Sequence, residues 1–150
     1  RLVCARRMHA THTVNVGADG VDPVEEVHRV TGGGMADIAI DMVGHQGGTI
    51  DLCARLTKTD GSVLLFGLPP AQDHDHMAIR FGDFVRNIRY VCTHSPGMES
   101  FELAIDLLQQ GRINVEPIFT HRLPFEQFPA AFDMANNYRD GVIKTVLTYD

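Results

Sequence analysis

The stretch Ser62-Val63-Leu64-Leu65-Phe66-Gly67 is a nearly continuous apolar run, and it limits the possible folds more than any other part of the chain. A strand with one wet face alternates apolar and polar residues, whereas a strand without alternation is covered on both faces, as in a parallel sheet. Parallel neighbours cannot be joined by a tight hairpin and need a crossover, usually a helix. Both parts of that arrangement are present. Asp37-Ile38-Ala39-Ile40-Asp41-Met42-Val43-Gly44 reads as a second buried strand. Between the two, Ile50, Cys53, Ala54 and Thr57 recur at helical spacing. Residues 71–84 read as irregular and polar, Ile88 to Thr93 as a third strand, and Glu99 to Gln110 as a helix. Phe101, Ala104, Ile105 and Leu108 share one face of that helix, and Gly111 is its stop. Strands alternating with helices predict an α/β fold, a doubly wound parallel sheet with helices on both sides.

The two ends add shorter pieces. Leu2 and Ala5 share a helical face from the first residues, and Thr13 to Val16 is extended. A further helix opens at Asp22, with Pro23 in the first helical position and Glu25 three residues past the cap, and Gly32-Gly33-Gly34 closes it. Ile118 to Arg122 reads as extended. Pro124 opens a helix with Phe128, Ala131, Phe132 and Ala135 on one face, and Val142 to Tyr149 is a closing strand. A chain that starts in a helix without an initiator Met is read as starting at an internal residue of a longer protein.

A chain of 150 residues has room for one well-formed core. The formal net charge is -6, and no basic run exceeds the pair Arg6 and Arg7, which argues against a nucleic-acid partner. No apolar stretch approaches the roughly 18 residues of a membrane helix, and no secretory leader is visible, so the expected setting is the cytosol. Cys4, Cys53 and Cys92 are odd in number and widely spaced, which suits reduced thiols in the core.

Ligands of an open parallel sheet bind beyond the carboxyl ends of its strands. Two such ends carry a glycine at the bend, Met42-Val43-Gly44 and Phe66-Gly67-Leu68. Each glycine admits a flat ring close to the backbone, and each also simply permits a tight turn. The run Asp73-His74-Asp75-His76 has residue types that bind metals, but it lies in a loop and no further ligands are marked. His45 either stacks on a ligand ring at the first bend or faces solvent.

Taken in order, these stretches resemble the medium-chain dehydrogenase/reductase family of zinc-type alcohol dehydrogenases. The resemblance rests on Arg1-Leu2-Val3-Cys4-Ala5 with Ala10-Thr11, on Asp37 to Gly44 and on Phe66-Gly67-Leu68-Pro69-Pro70. It continues through Thr120-His121-Arg122-Leu123-Pro124-Phe125-Glu126 and Ile143-Lys144-Thr145-Val146-Leu147. It implies that residues 1–117 are a Rossmann-like dinucleotide-binding domain without its first two strands. Residues 118–150 would return to a largely absent catalytic domain. The glycine-rich phosphate loop and the catalytic zinc would then lie upstream. The sequence contains no G-x-G-x-x-G and no zinc-ligand motif of the family, so no residue here is assigned as catalytic or as a metal ligand.

The resemblance implies NAD or NADP as cofactor, with these contacts. Val43 meets the adenine, with Gly44 lining the bend beside it, and Arg1 lies near the adenosine ribose. Phe66 and Leu68 offer main-chain groups to the nicotinamide on either side of Gly67. Val91 and Thr93 add polar main-chain contacts, and Lys144 reaches the pyrophosphate unless it is a solvated surface lysine. His9 stands where the family has a glycine and reads as a poor left-handed helix cap. The implied activity is hydride transfer between a small alcohol or polyol and nicotinamide, with these 150 residues inactive alone. A homodimer joined through strand 88–93 is also implied. The alternatives are the zinc-free quinone reductase branch and a non-catalytic dimerising module. An unrelated doubly wound domain such as a methyltransferase lacks a counterpart to Thr120 to Thr148.

Overall fold

The computed structural model describes residues 1–44, 47–67, 78–93 and 97–149. In chain order the elements are α1 (Leu2–Arg7), α2 (Pro23–Val30), β1 (Ala36–Asp41), α3 (Gly47–Leu56), β2 (Thr57–Leu65), α4 (Phe81–Val85) and β3 (Arg89–Cys92). They continue with α5 (Met98–Gln109), β4 (Phe119–Pro124), α6 (Phe128–Asn136) and β5 (Lys144–Thr148). The chain divides into two compact units, residues 14–97 and residues 1–13 together with 98–150. This division cuts the chain differently from the border expected at residue 117.

In the first unit the three strands form one parallel sheet in the order β1-β2-β3, in agreement with the α/β reading. Ala39 pairs with Val63 and Asp41 with Leu65, while Val63 pairs with Tyr90. These residues share the face that α3 covers, and Cys53 and Ala54 of α3 close a small core with Val63 and Ile88. Burying a side chain the size of Val63 completely contributes about 1.5–3 kcal/mol. The other face carries Ile38 and Ile40, which remain 61% and 51% exposed.

Local chemistry explains the element ends. Asp22 caps α2 by accepting from the Val24 N–H at 2.7 Å, with Pro23 in the first turn. β2 begins at Thr57, five residues earlier than the apolar run, and its register against β1 shifts between Thr57 and Ser62, where Asp60 is left-handed at φ 63. A Cβ on Gly61 would lie 2.9 Å from the Lys58 carbonyl oxygen and 3.0 Å from that of Asp37, so this irregularity needs glycine. His9 is left-handed at φ 66, as its position after α1 implied. Four expectations fail, the first being that β1 is buried, since Ile38 and Ile40 lie exposed on the face that α3 does not cover. Thr13 to Val16 forms no strand, α4 occupies part of the segment read as irregular, and Cys92 is exposed on β3 rather than buried. A helix of five residues is too short to leave a periodic signal, and β3 is an outer strand of the sheet.

In the second unit β4 and β5 pair in parallel, with Phe119 opposite Lys144 and Leu123 opposite Leu147. α6 lies against β5 and buries Ala131. The Cys4 thiol donates to the Pro117 carbonyl at 3.3 Å, tying α1 to the turn before β4.

Candidate cofactor site at the strand ends

Asp41 ends β1, and the chain turns through Met42 and Val43 to Gly44, which is left-handed at φ 74. β2 ends one strand over and turns through Phe66 and Gly67. The two bends touch. A Cβ added to Gly67 would fall 2.6 Å from the Gly44 Cα and 2.8 Å from the Val43 carbonyl carbon, closer than any real side chain approaches backbone. Glycine at 67 is therefore required by the neighbouring bend, whatever a ligand adds.

Asp41 is the hinge between them. Its main-chain carbonyl accepts from the Phe66 N–H at 3.0 Å and the Gly67 N–H at 2.9 Å. Its side-chain Oδ1 accepts from the Val43 N–H at 3.0 Å. The residue is only 2% exposed, and its Oδ2 has no hydrogen-bond partner among the described residues. Burial, and then the nearby Asp41 charge, push the Cys53 thiol above its ordinary value, which keeps that sulfur protonated and unreactive. Val43 and Phe66 stand on the two bends with 43% and 49% of their surfaces open. They offer apolar surface to a flat ring on either side of the glycine contact.

Four predicted contact residues, Val43, Gly44, Phe66 and Gly67, thus come together. Val91 and Thr93 sit at the corresponding end of β3, where Val91 pairs with Leu64 and the Thr93 N–H donates to the Leu65 carbonyl at 3.2 Å. Leu68 lies outside the described residues, as do His45 and the run Asp73 to His76. Arg1 and Lys144 belong to the other unit. The Arg1 guanidinium lies 5.0 Å from the centre of the Tyr138 ring. Lys144 opens β5 with its side chain exposed, and its carbonyl accepts from the Thr120 hydroxyl at 3.3 Å. Among the described residues no group of three or more His, Cys, Asp or Glu side chains is arranged to hold a metal.

Two features escaped the sequence reading. One is Asp41, whose signal was a lone carboxylate inside an apolar strand just before a glycine bend. The other is a polar lock at the opposite end of the sheet. There Arg86 donates to the Thr57 carbonyl at 2.9 Å, to the Ala54 carbonyl at 2.9 Å and to Asp83 Oδ1 at 2.8 Å. The Tyr90 hydroxyl donates to Asp83 Oδ2 at 2.7 Å. Burial alone would raise the Asp83 carboxyl, but the bonds from Tyr90 and Arg86, together with the Arg86 charge, hold it below its ordinary value. Tyr90 is pushed up, first by burial and then by its bond to Asp83.

The chain is similar to known proteins over most of its length. The family described as zinc-binding dehydrogenase matches residues 1–110. An alcohol dehydrogenase of Cupriavidus necator is 29% identical over 150 residues, covering 98% of this chain and 39% of that protein. An L-threonine 3-dehydrogenase of Bacillus velezensis is 28% identical over 146 residues, covering 95% of this chain and 40% of that protein. Among solved structures, an Escherichia coli oxidoreductase/dehydrogenase of unknown specificity superposes with a TM-score of 0.82 at 23% identity, covering 99% of this chain and 41% of its own. The alcohol dehydrogenase of Thermus sp. ATN1 gives 0.77 at 20% identity, covering 91% of this chain and 38% of its own. The chain therefore spans about two fifths of the length of the relatives it matches.

Proposed function

The chain belongs to the zinc-binding dehydrogenase family, and we propose that it forms the coenzyme side of an NAD(P)-dependent oxidoreductase that moves a hydride between a small alcohol or polyol and nicotinamide. The observation that carries this reading is the contact between the bends at Gly44 and Gly67, with Val43 and Phe66 exposed beside them, at the strand ends where open parallel sheets bind ligands. The alcohol-type substrate is supported by relatives named as alcohol and L-threonine 3-dehydrogenases.

The residues at the bends fit a dinucleotide. Val43 packs on the adenine, and Gly44 keeps the wall beside it free of side chain. Phe66, Gly67 and Leu68 present main chain to the nicotinamide, whose ring accepts the hydride when the cofactor is bound. Val91 and Thr93 extend the wall along β3, and the same reading gives Arg1 the adenosine ribose and Lys144 the pyrophosphate. The described residues do not fit zinc, so no step is assigned to a metal here. Residues 1–117 are read as dinucleotide-binding and 118–150 as returning to the catalytic domain, in a cytosolic protein. The 150 residues alone are read as inactive.

The test uses a polypeptide of the relatives' length that carries this chain. Calorimetry should find NAD or NADP binding, and steady-state assays should find oxidation of at least one member of an alcohol and polyol panel. A protein that binds neither dinucleotide overturns the reading. Lys144→Ala should weaken dinucleotide binding about tenfold, a difference of 1.4 kcal/mol, and an unchanged constant returns Lys144 to the solvated surface.

A homodimer through β3 belongs to the same proposal. In the order β1-β2-β3 the outer side of β3 is unpaired among the described residues, and Arg89-Tyr90-Val91-Cys92 holds one charge and no proline, the kind of edge that pairs with a second copy. Light scattering should give a dimer at tens of micromolar, and Val91→Pro, which removes a main-chain donor, should give a monomer. A dimeric Val91→Pro protein moves the interface elsewhere.

A further inference from the structure

We propose that Asp41 is a positioning residue for the dinucleotide: it fixes the distance between the adenine-side bend and the nicotinamide-side bend, so that both ends of one ligand are held at once. The inference rests on the dinucleotide reading above and concerns a residue that touches neither end of the ligand.

The argument starts from main-chain bookkeeping. Past the ends of β1 and β2, main-chain N–H groups still need acceptors. A single residue accepts from three of them, through its carbonyl for Phe66 and Gly67 and through Oδ1 for Val43. The carbonyl bonds would survive any substitution. The bond to Val43 depends on the side chain, and it holds the first bend to the residue whose carbonyl holds the second.

The location of the carboxylate points to a role beyond folding. Burying a carboxylate is costly unless its oxygens are bonded, yet Oδ2 of this nearly inaccessible residue has no partner among the described residues. Gly44 and Gly67 meet main chain to main chain, with no room for a side chain on Gly67. The Asp41 side chain fixes Val43 to the same residue that holds Phe66 and Gly67.

The experiment compares binding of whole NAD with binding of its halves, AMP and nicotinamide mononucleotide, in the full-length polypeptide and in Asp41→Ala and Asp41→Asn. A residue that sets the separation of two subsites matters only to a ligand that spans both. Asp41→Ala should therefore weaken NAD about tenfold while changing AMP and the mononucleotide less than twofold. Asp41→Asn, which keeps Oδ1, should restore NAD binding to within about twofold. Unchanged NAD binding in Asp41→Ala, or equal losses for NAD and both halves, overturns the positioning role and leaves the dinucleotide reading standing. Absence of NAD and NADP binding in the unsubstituted protein overturns both. If Asp41→Ala does not fold, Asp41→Ser serves instead, with an expected loss of about threefold confined to NAD. Its absence overturns the role equally.

Discussion

Among the described residues, the unit of residues 14–97 holds two buried aspartates, one at each end of its sheet, and they are treated oppositely. Asp83, 4% exposed, lies at the amino ends of the strands with both oxygens bonded, one to Arg86 and one to Tyr90. Asp41 lies at the carboxyl ends with one oxygen on a main-chain N–H and the other unpartnered among the described residues. The first end is closed by side chains that satisfy one another, and its natural role is stability. The second is closed by glycine main chain and keeps an unsatisfied group, a local departure from good packing of the kind that collects at functional sites.

The comparison breaks most visibly at Arg86. Arg86→Ala removes the charged partner of a buried carboxylate and the donor of the Ala54 and Thr57 carbonyls. Removing one partner of a buried pair costs about 3 kcal/mol or more, and partial exposure of Arg86 keeps this case near the lower figure. Urea unfolding should show the loss, while the folded variant binds dinucleotide unchanged. A variant that loses binding but little stability would reverse the roles of the two ends.

Gly67→Ala probes the other end. The added methyl meets backbone of Gly44 and Val43 that cannot rotate away, and overpacking of this kind costs about 2 kcal/mol. Here the loss of stability should come with loss of dinucleotide affinity of at least tenfold, because the bends are forced apart. Stability lost without affinity would mean that the bends are a folding feature only. Tyr90→Phe is milder. It leaves one Asp83 oxygen unpartnered, making Asp83 resemble Asp41, and should cost about 1 kcal/mol with no effect on binding.

The two ends also differ in how far the sequence revealed them. The glycine bends at 44 and 67 follow apolar strands, so strand period and glycine position marked, without side-chain geometry, the two bends that the structure brings into contact. Asp41 was legible only as an oddity, since its meaning depends on which N–H groups the neighbouring strand brings to it. The lock was not legible. Arg86 reaches Ala54 and Thr57 across about thirty residues, and no periodicity encodes a contact made from the end of a five-residue helix. The exposure of Cys92 was missed for a related reason: β3 is apolar enough to read as interior, and only the strand order makes it an edge.

The smallest expected effect concerns pH and separates the charge of Asp83 from its shape. Burial raises its carboxyl, but the bonds from Tyr90 and Arg86 and the Arg86 charge more than offset this, so the folded value lies below the unfolded one, which is about 3.9. The stability contributed by a depressed carboxyl is present in full above the unfolded value and is lost as pH falls through the folded one. Tyr90 runs the other way. Its raised value means that the neutral hydroxyl is favoured in the fold, so its contribution is intact below the unfolded tyrosine value near 10 and is lost only at higher pH. The chain has 19 Asp and Glu residues, and total acid sensitivity therefore says little about one of them. A difference between two proteins cancels the rest. Asp83→Asn keeps the shape of the lock and removes its charge, so the gap in unfolding free energy between unsubstituted protein and variant should be widest near pH 7 and should narrow from about pH 4 downward. A gap that stays constant from pH 7 to pH 3 would mean that the neutral hydrogen bonds, and not the ionised carboxylate between Arg86 and Tyr90, hold this end of the sheet.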